Sequence, residues 1–98
     1  MLRSTEMEPL ISGMPGALID LLRVAPLSQG KVAFAWRAAV GSAVERATAV
    51  RLEDGTLIVE TASAPWAREL HRSSATILRR LETLLGPGVV QRIQTRTV

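Results

Sequence analysis

VERATAVRLEDGTLIVET, residues 44–61, is the stretch that decides the fold of this chain. From Val44 to Leu52 apolar and polar residues alternate, with Val44, Thr48, Val50 and Leu52 on one side and Glu45, Arg51 and Glu53 on the other. That period of two is the side-chain period of a β-strand. Asp54-Gly55 follows, the pair that best tolerates the positive φ angles of a two-residue hairpin turn. Thr56 to Thr61 then returns as a second strand carrying Leu57, Ile58 and Val59. Residues 44–61 are therefore expected to form a β-hairpin. An isolated hairpin is at best marginally stable in water, so its apolar face needs cover from the rest of the chain.

Helical periodicity supplies that cover on both sides. Met14 to Val24 reads as a short helix, with Leu18, Leu21 and Leu22 on one face and Pro15 tolerated in the first turn. Pro26 ends it. Ser28 is the expected N-cap of a second helix running to Val40, in which Val32, Ala35, Trp36, Ala39 and Val40 recur at helical spacing. Gly41 stands where a C-cap glycine belongs. After the hairpin, Ser63 or Ala64 opens the longest expected helix, with Pro65 in its first turn. It runs to about Leu85 and stops at Gly86-Pro87-Gly88, and a last strand spans Val89 to Arg96. The fold class is α+β: a single small domain in the order α-α-β-β-α-β, a three-stranded sheet backed by helices. Residues 1–13 are expected to be a flexible N-terminal segment, and residues 14–98 the domain.

At about 100° per residue, an unbroken helix from Ala64 to Leu85 puts Trp66, Leu70, Ile77, Leu81 and Leu84 in one apolar sector. Arg68, Arg72 and Arg79 fall together on the opposite side. One stripe is expected to pack on the sheet. The other faces water or a partner.

Composition narrows the chemistry. Hydrophobic residues make up 47% of the 98, enough for a core, but aromatics are only 3%, so that core must be aliphatic. The formal charge is +3, and Lys31 is the only lysine among the twelve basic residues. Arginine offers a planar fork of donors that suits phosphate and carboxylate. No cysteine is present, which excludes disulfides and thiolate metal sites. No stretch approaches the roughly 20 apolar residues of a membrane-spanning helix, and Met1 to Pro9 has no signal-like apolar run. A cytoplasmic protein with no membrane partner is expected.

Enzyme chemistry finds little support. His71 is the single histidine, and Glu69, two residues away on a helix, points elsewhere. An exposed, incidental histidine is the expected reading. Ser73-Ser74 has no accompanying base. There is no glycine-rich phosphate loop and no acidic motif for Mg²⁺, and no metal-ligand cluster. A non-enzymatic chain with no catalytic, cofactor-binding or metal-binding residues is expected, and no cofactor. Binding remains. Arg68, Arg72 and Arg79 form the stripe, Arg92 and Arg96 share a face of the last strand, and Arg46 could join them. Such side chains contact phosphates without reading sequence, though ordinary solvated charges would look the same. Both tryptophans lie on apolar helical faces, where core packing is the expected role, while a tryptophan at a helix end can show an edge to a partner.

Short motifs in a fixed order carry a resemblance. Trp36-Arg37-Ala38-Ala39-Val40-Gly41 ends the second helix, and Leu52-Glu53-Asp54-Gly55-Thr56-Leu57-Ile58-Val59 makes the hairpin. Ser63-Ala64-Pro65-Trp66-Ala67-Arg68-Glu69-Leu70 opens the long helix, and Leu81 with Leu84-Leu85-Gly86 closes it. Over about residues 14–96 this resembles the DciA family, whose pattern is W-x-x-x-V-G, then D-G-x-L-x-V, then S-x-x-W-x-x-E-L. The resemblance implies a K-homology-like domain that recruits or helps load the hexameric replicative DNA helicase and associates with DNA, single or double stranded, without an ATPase of its own. Trp36, Gly41, Asp54, Gly55, Trp66 and Leu70 match the family pattern, mostly with ready structural roles; from the residues themselves, Trp36 and Trp66 are the candidate partner-binding residues and Arg68, Arg72, Arg79, Arg92 and Arg96 the candidate nucleic-acid contacts. One departure weakens an RNA-binding reading: there is no G-x-x-G backbone clamp, and Gly30-Lys31 is the nearest remnant. Two alternatives stay open, a protein-interaction domain that binds no nucleic acid and an RNA-binding K-homology-like protein. A free edge on the last strand would permit dimers, and the oligomeric state is left open.

Overall fold

The computed structural model describes residues 8–98. Leu10–Gly13 forms a 3-10 turn, followed by α1 (Gly16–Val24), α2 (Gln29–Val40), α3 (Ser42–Arg46), β1 (Ala49–Glu53), β2 (Thr56–Thr61), α4 (Ala64–Arg72), α5 (Ser74–Leu85) and β3 (Arg92–Thr97). The three strands form one sheet in the order β1-β2-β3. This is the expected α+β class. Of the N-terminal segment expected to be flexible, residues 1–7 lie outside the described residues. Ile11, in the 3-10 turn, packs against the core.

The hairpin closes through Asp54 and Gly55, with φ of 49° and 77°, both positive as a type I′ turn requires. β1 and β2 pair antiparallel, Glu53 opposite Thr56 and Ala49 opposite Glu60. The first strand is shorter than its alternation suggests. Ser42–Arg46, expected to lead into the strand, is instead the helical turn α3, which buries Val44 completely. Val44 and Thr48 are four residues apart, a spacing compatible with either period. Gly41 decides between them: its φ of 91° and ψ of 165° lie in a region open essentially to glycine alone. A Cβ there would run into the carbonyl of Glu8.

Both expected serine caps are present. The Ser28 hydroxyl accepts from Lys31 N at 3.1 Å and the Ser63 hydroxyl from Trp66 N at 3.2 Å. α1 turns a different face inward from the one expected: Ile19 and Leu22 pack against the core, while Leu18 and Leu21 are exposed. Lys31 explains how α1 is held. It is 8% exposed, and its ammonium donates to the carbonyls of Arg23 (3.2 Å) and Ala25 (2.6 Å), the unpaired acceptors at the end of α1.

The long helix breaks. Ser73 (φ −93°, ψ 6°) ends α4 and begins α5. Its hydroxyl turns back to the Glu69 carboxylate rather than capping α5. A serine pair is a common place for a helix to kink. The apolar half of the helical projection survives the break, with Leu70, Ile77, Leu81 and Leu84 fully buried and Trp66 half-buried. The α4–α5 crossover returns the chain so that β3 pairs parallel to β2, Thr56 opposite Arg92 and Thr61 opposite Thr97. β3 starts three residues later than expected. Val89 and Val90 precede it as half-buried residues packed on the core.

Trp36 stands at the centre of this core, 1% exposed, and its Nε1 donates to Thr48 Oγ1 at 2.9 Å. Thr48 in turn donates to Val44 O at 2.9 Å, so one hydroxyl ties α2, α3 and the start of β1 together. Thr48→Val keeps the shape but leaves a buried indole N–H without its acceptor. A loss of about 1–3 kcal/mol in urea unfolding is expected; no measurable loss would show that the bond is dispensable.

Candidate functional site

Position on the sheet sorts the arginines. Alternation along β2 sends Leu57 and Val59 inward to the helices and Thr56, Ile58 and Glu60 to the other face. On that outer face the register places Arg51 and Gln94 on either side of Ile58, and Arg96 opposite Glu60. Ile58 is only 4% exposed although it lies outside the main core cluster. Its cross-strand neighbours Arg51 and Gln94 carry apolar stems of the kind that shield such a residue while their heads stay in water.

The five arginines expected to contact nucleic acid stand on three elements, α4, α5 and β3. Arg68 and Arg72 are exposed on α4, and Arg79 is exposed on α5 beyond the kink. Arg92 and Arg96 leave β3 on the outer face of the sheet, where Arg92 donates to Thr56 Oγ1 at 2.8 Å. Arg72 pairs with Glu69 at 3.2 Å, and Arg79 donates to Thr76 Oγ1 at 3.4 Å. Among the described residues Arg68 and Arg96 form no ion pair. The stripe drawn by projecting residues 64–85 as one helix is divided between two, Arg68 and Arg72 on α4 and Arg79 on α5, with the junction at Ser73. Arg46, also a possible contributor, lies on α3, where its Nε donates to Ser42 O at 3.3 Å.

Arg51 is an outer-face cation the sequence reading left aside. It pairs with Glu53 at 2.7 Å and Glu60 at 3.4 Å. The Glu53 carboxylate, more than Glu60, holds its guanidinium above its ordinary pKa. Its charge is locally matched, whereas that of Arg96 is not.

Trp36 is also corrected as a partner-binding residue. A ring 1% exposed and hydrogen-bonded inside the core has no surface to offer. Trp66, half-buried at the start of α4, keeps an accessible edge. His71 is exposed, as expected, but it is not isolated. With Ala67 and Arg68 of α4 and Thr95 of β3 it lines a groove of about 290 Å³ between helix and edge strand. The spacing 67-68-71 on one helix was visible in the sequence, but the approach of Thr95 was not, because it depends on where β3 pairs. Gly30-Lys31, the nearest remnant of a backbone clamp, lies in the first turn of α2, and the Lys31 ammonium is occupied by α1 carbonyls.

Arg80 was missed. Its guanidinium donates to Ala39 O at 2.9 Å and ties α5 to the end of α2. The signal was present in its spacing, three residues after Ile77 and four before Leu84 on the buried side of α5. Among the described residues no three His, Asp or Glu side chains come together to hold a metal ion, and no helix is long and apolar enough to cross a membrane.

These motifs in this order match a known family. Residues 16–95 match the family model described as Dna[CI] antecedent, DciA. The chain belongs to the DciA family. A UPF0232 protein of Mycolicibacterium smegmatis is 34% identical over 67 residues, which cover 67% of this chain and 34% of that relative. The chain thus spans about a third of the length of the curated relative it matches. No solved structure matches it.

Substitution separates the two kinds of arginine. Arg80→Met is expected to lower the urea midpoint, as the loss of a charged donor to an interhelical carbonyl does. Arg68→Gln should leave the midpoint unchanged. A reversed order would contradict the roles assigned to them.

Proposed function

We propose that this chain is a non-enzymatic binding module that recruits or helps load the hexameric replicative DNA helicase in the cytoplasm and associates with DNA while doing so. The observation that carries the proposal is the family match over residues 16–95. The exposed arginines support the DNA part: Arg68 and Arg96 have no acidic partner among the described residues, and Arg72, Arg79 and Arg92 are exposed as well. Unmatched guanidinium groups gain most from releasing counterions at a phosphate. The module acts by differential binding, favouring one helicase conformation or holding DNA near it, with no covalent step. Trp66 is the aromatic edge proposed for partner contact. The scaffold is proposed to be K-homology-like. The burial of Lys31 speaks against the alternative in which Gly30-Lys31 clamps RNA.

Two measurements test this. Tagged protein in a native pull-down at mild salt is expected to retain the replicative helicase, and its absence would count against the recruiter role. Oligonucleotide affinity should fall with salt, and the log–log slope should shrink by about one for each phosphate-contacting arginine replaced by glutamine. A slope unchanged in an Arg68, Arg92, Arg96 triple variant would remove the DNA role from these residues and favour a protein-interaction domain that binds no nucleic acid.

A further inference from the structure

The two edges of the sheet are finished differently. At the β1 edge the Gln29 side-chain amide donates to Val50 O at 2.9 Å. At the β3 edge no comparable cover exists among the described residues. Arg92 N donates to Gly55 O at 3.2 Å and Val98 N to Thr61 O at 2.9 Å, so the even-numbered residues of β3 bond inward to β2. In a parallel ladder the intervening residues then face away. The N–H and C=O groups of Ile93, Thr95 and Thr97 form a row of alternating donors and acceptors along the open edge. Running beside it is the groove lined by Ala67, Arg68, His71 and Thr95.

Charge surrounds this edge on both faces. Arg92 and Arg96 stand on the outer face, Arg68 and His71 on the helix side. The acids of the neighbourhood are already engaged, Glu60 with Arg51 and Glu69 with Arg72. We propose that β3 accepts an extended acidic segment of a partner protein as a fourth strand, with one side chain entering the α4–β3 groove beside Arg68 and carboxylates meeting Arg92 and Arg96 on the outer face. Main-chain pairing supplies affinity and the flanking pockets and charges supply choice, as in other strand-addition sites. A nucleic acid backbone offers acceptors only and leaves the three outward carbonyls unmet. A second copy pairing antiparallel about Gln94 would set Arg92 against Arg96 of its mate, and like charges directly opposite are destabilising. The arginines thus disfavour self-pairing in that register while admitting an acidic strand. This site stands independently of helicase recruitment, since it specifies the chemistry of the segment and not the protein that carries it.

The probe is a capped peptide of alternating Glu and Val, seven residues long, with two N-methylated versions, one for each set of alternate residues. Amide hydrogen exchange at Ile93, Thr95 and Thr97 of the full chain is the readout. Saturating peptide is expected to slow exchange there at least about tenfold, and only one of the two N-methylated versions should fail to do so. Arg92→Glu with Arg96→Glu should weaken binding at least about tenfold with the melting curve unchanged. Unchanged exchange at millimolar peptide would overturn the proposal, as would equal protection by all three peptides. Protection by oligothymidylate but not by peptide would assign the edge to nucleic acid instead. Protection that follows protein concentration alone would assign it to a second copy.

Discussion

The parallel pairing of β2 with β3 is the constraint on which the rest of the molecule depends. Antiparallel neighbours can be joined by two residues, as Asp54-Gly55 joins β1 to β2. A parallel neighbour needs a crossover of a dozen or more residues, and here α4 and α5 supply it. That crossover lays the buried residues Leu70, Ile77, Leu81 and Leu84 over Leu57 and Val59, and so builds the core. It also makes β3 an outer strand with α4 alongside. The core, the groove and the open edge are three consequences of one connection.

Polar groups then lock the arrangement at the places where helices end. Lys31 satisfies the carbonyls at the end of α1, Arg80 one at the end of α2, and Thr48 receives the Trp36 indole. None of the buried side-chain nitrogens or oxygens in the described residues lacks a partner. With few aromatic rings to fill space, an aliphatic core of this size gains much of its uniqueness from such directional contacts. These basic side chains hold the fold, while Arg68 and Arg96 stand free outside it. The distinction is one of position, not of residue type.

The hairpin turn, both serine caps and the buried stripe of the long helix were legible because each rests on a local rule of spacing or φ. Trp36 was legible as a core residue from its helical face, while its place near a helix end, which suggested an edge open to a partner, did not reveal that the ring is enclosed. What stayed hidden depended on tertiary pairing. Ser42–Arg46 carries apolar spacing that suits a strand or a helical turn, and only the backbone at Gly41 chooses. The kink at Ser73 has no strong breaker, so an even projection merged Arg79 with Arg68 and Arg72. The groove was invisible because Thr95 meets Ala67 and His71 only once the register of β3 is set.

The central claim is that a small basic-edged module of this family works by holding a helicase rather than by catalysis. A titration of the full chain with purified replicative helicase from the same organism, with and without single-stranded DNA, tests it most directly. Micromolar or tighter binding, strengthened by DNA, is the predicted result. A folded protein that binds DNA but leaves the helicase unbound at every concentration reached would contradict it.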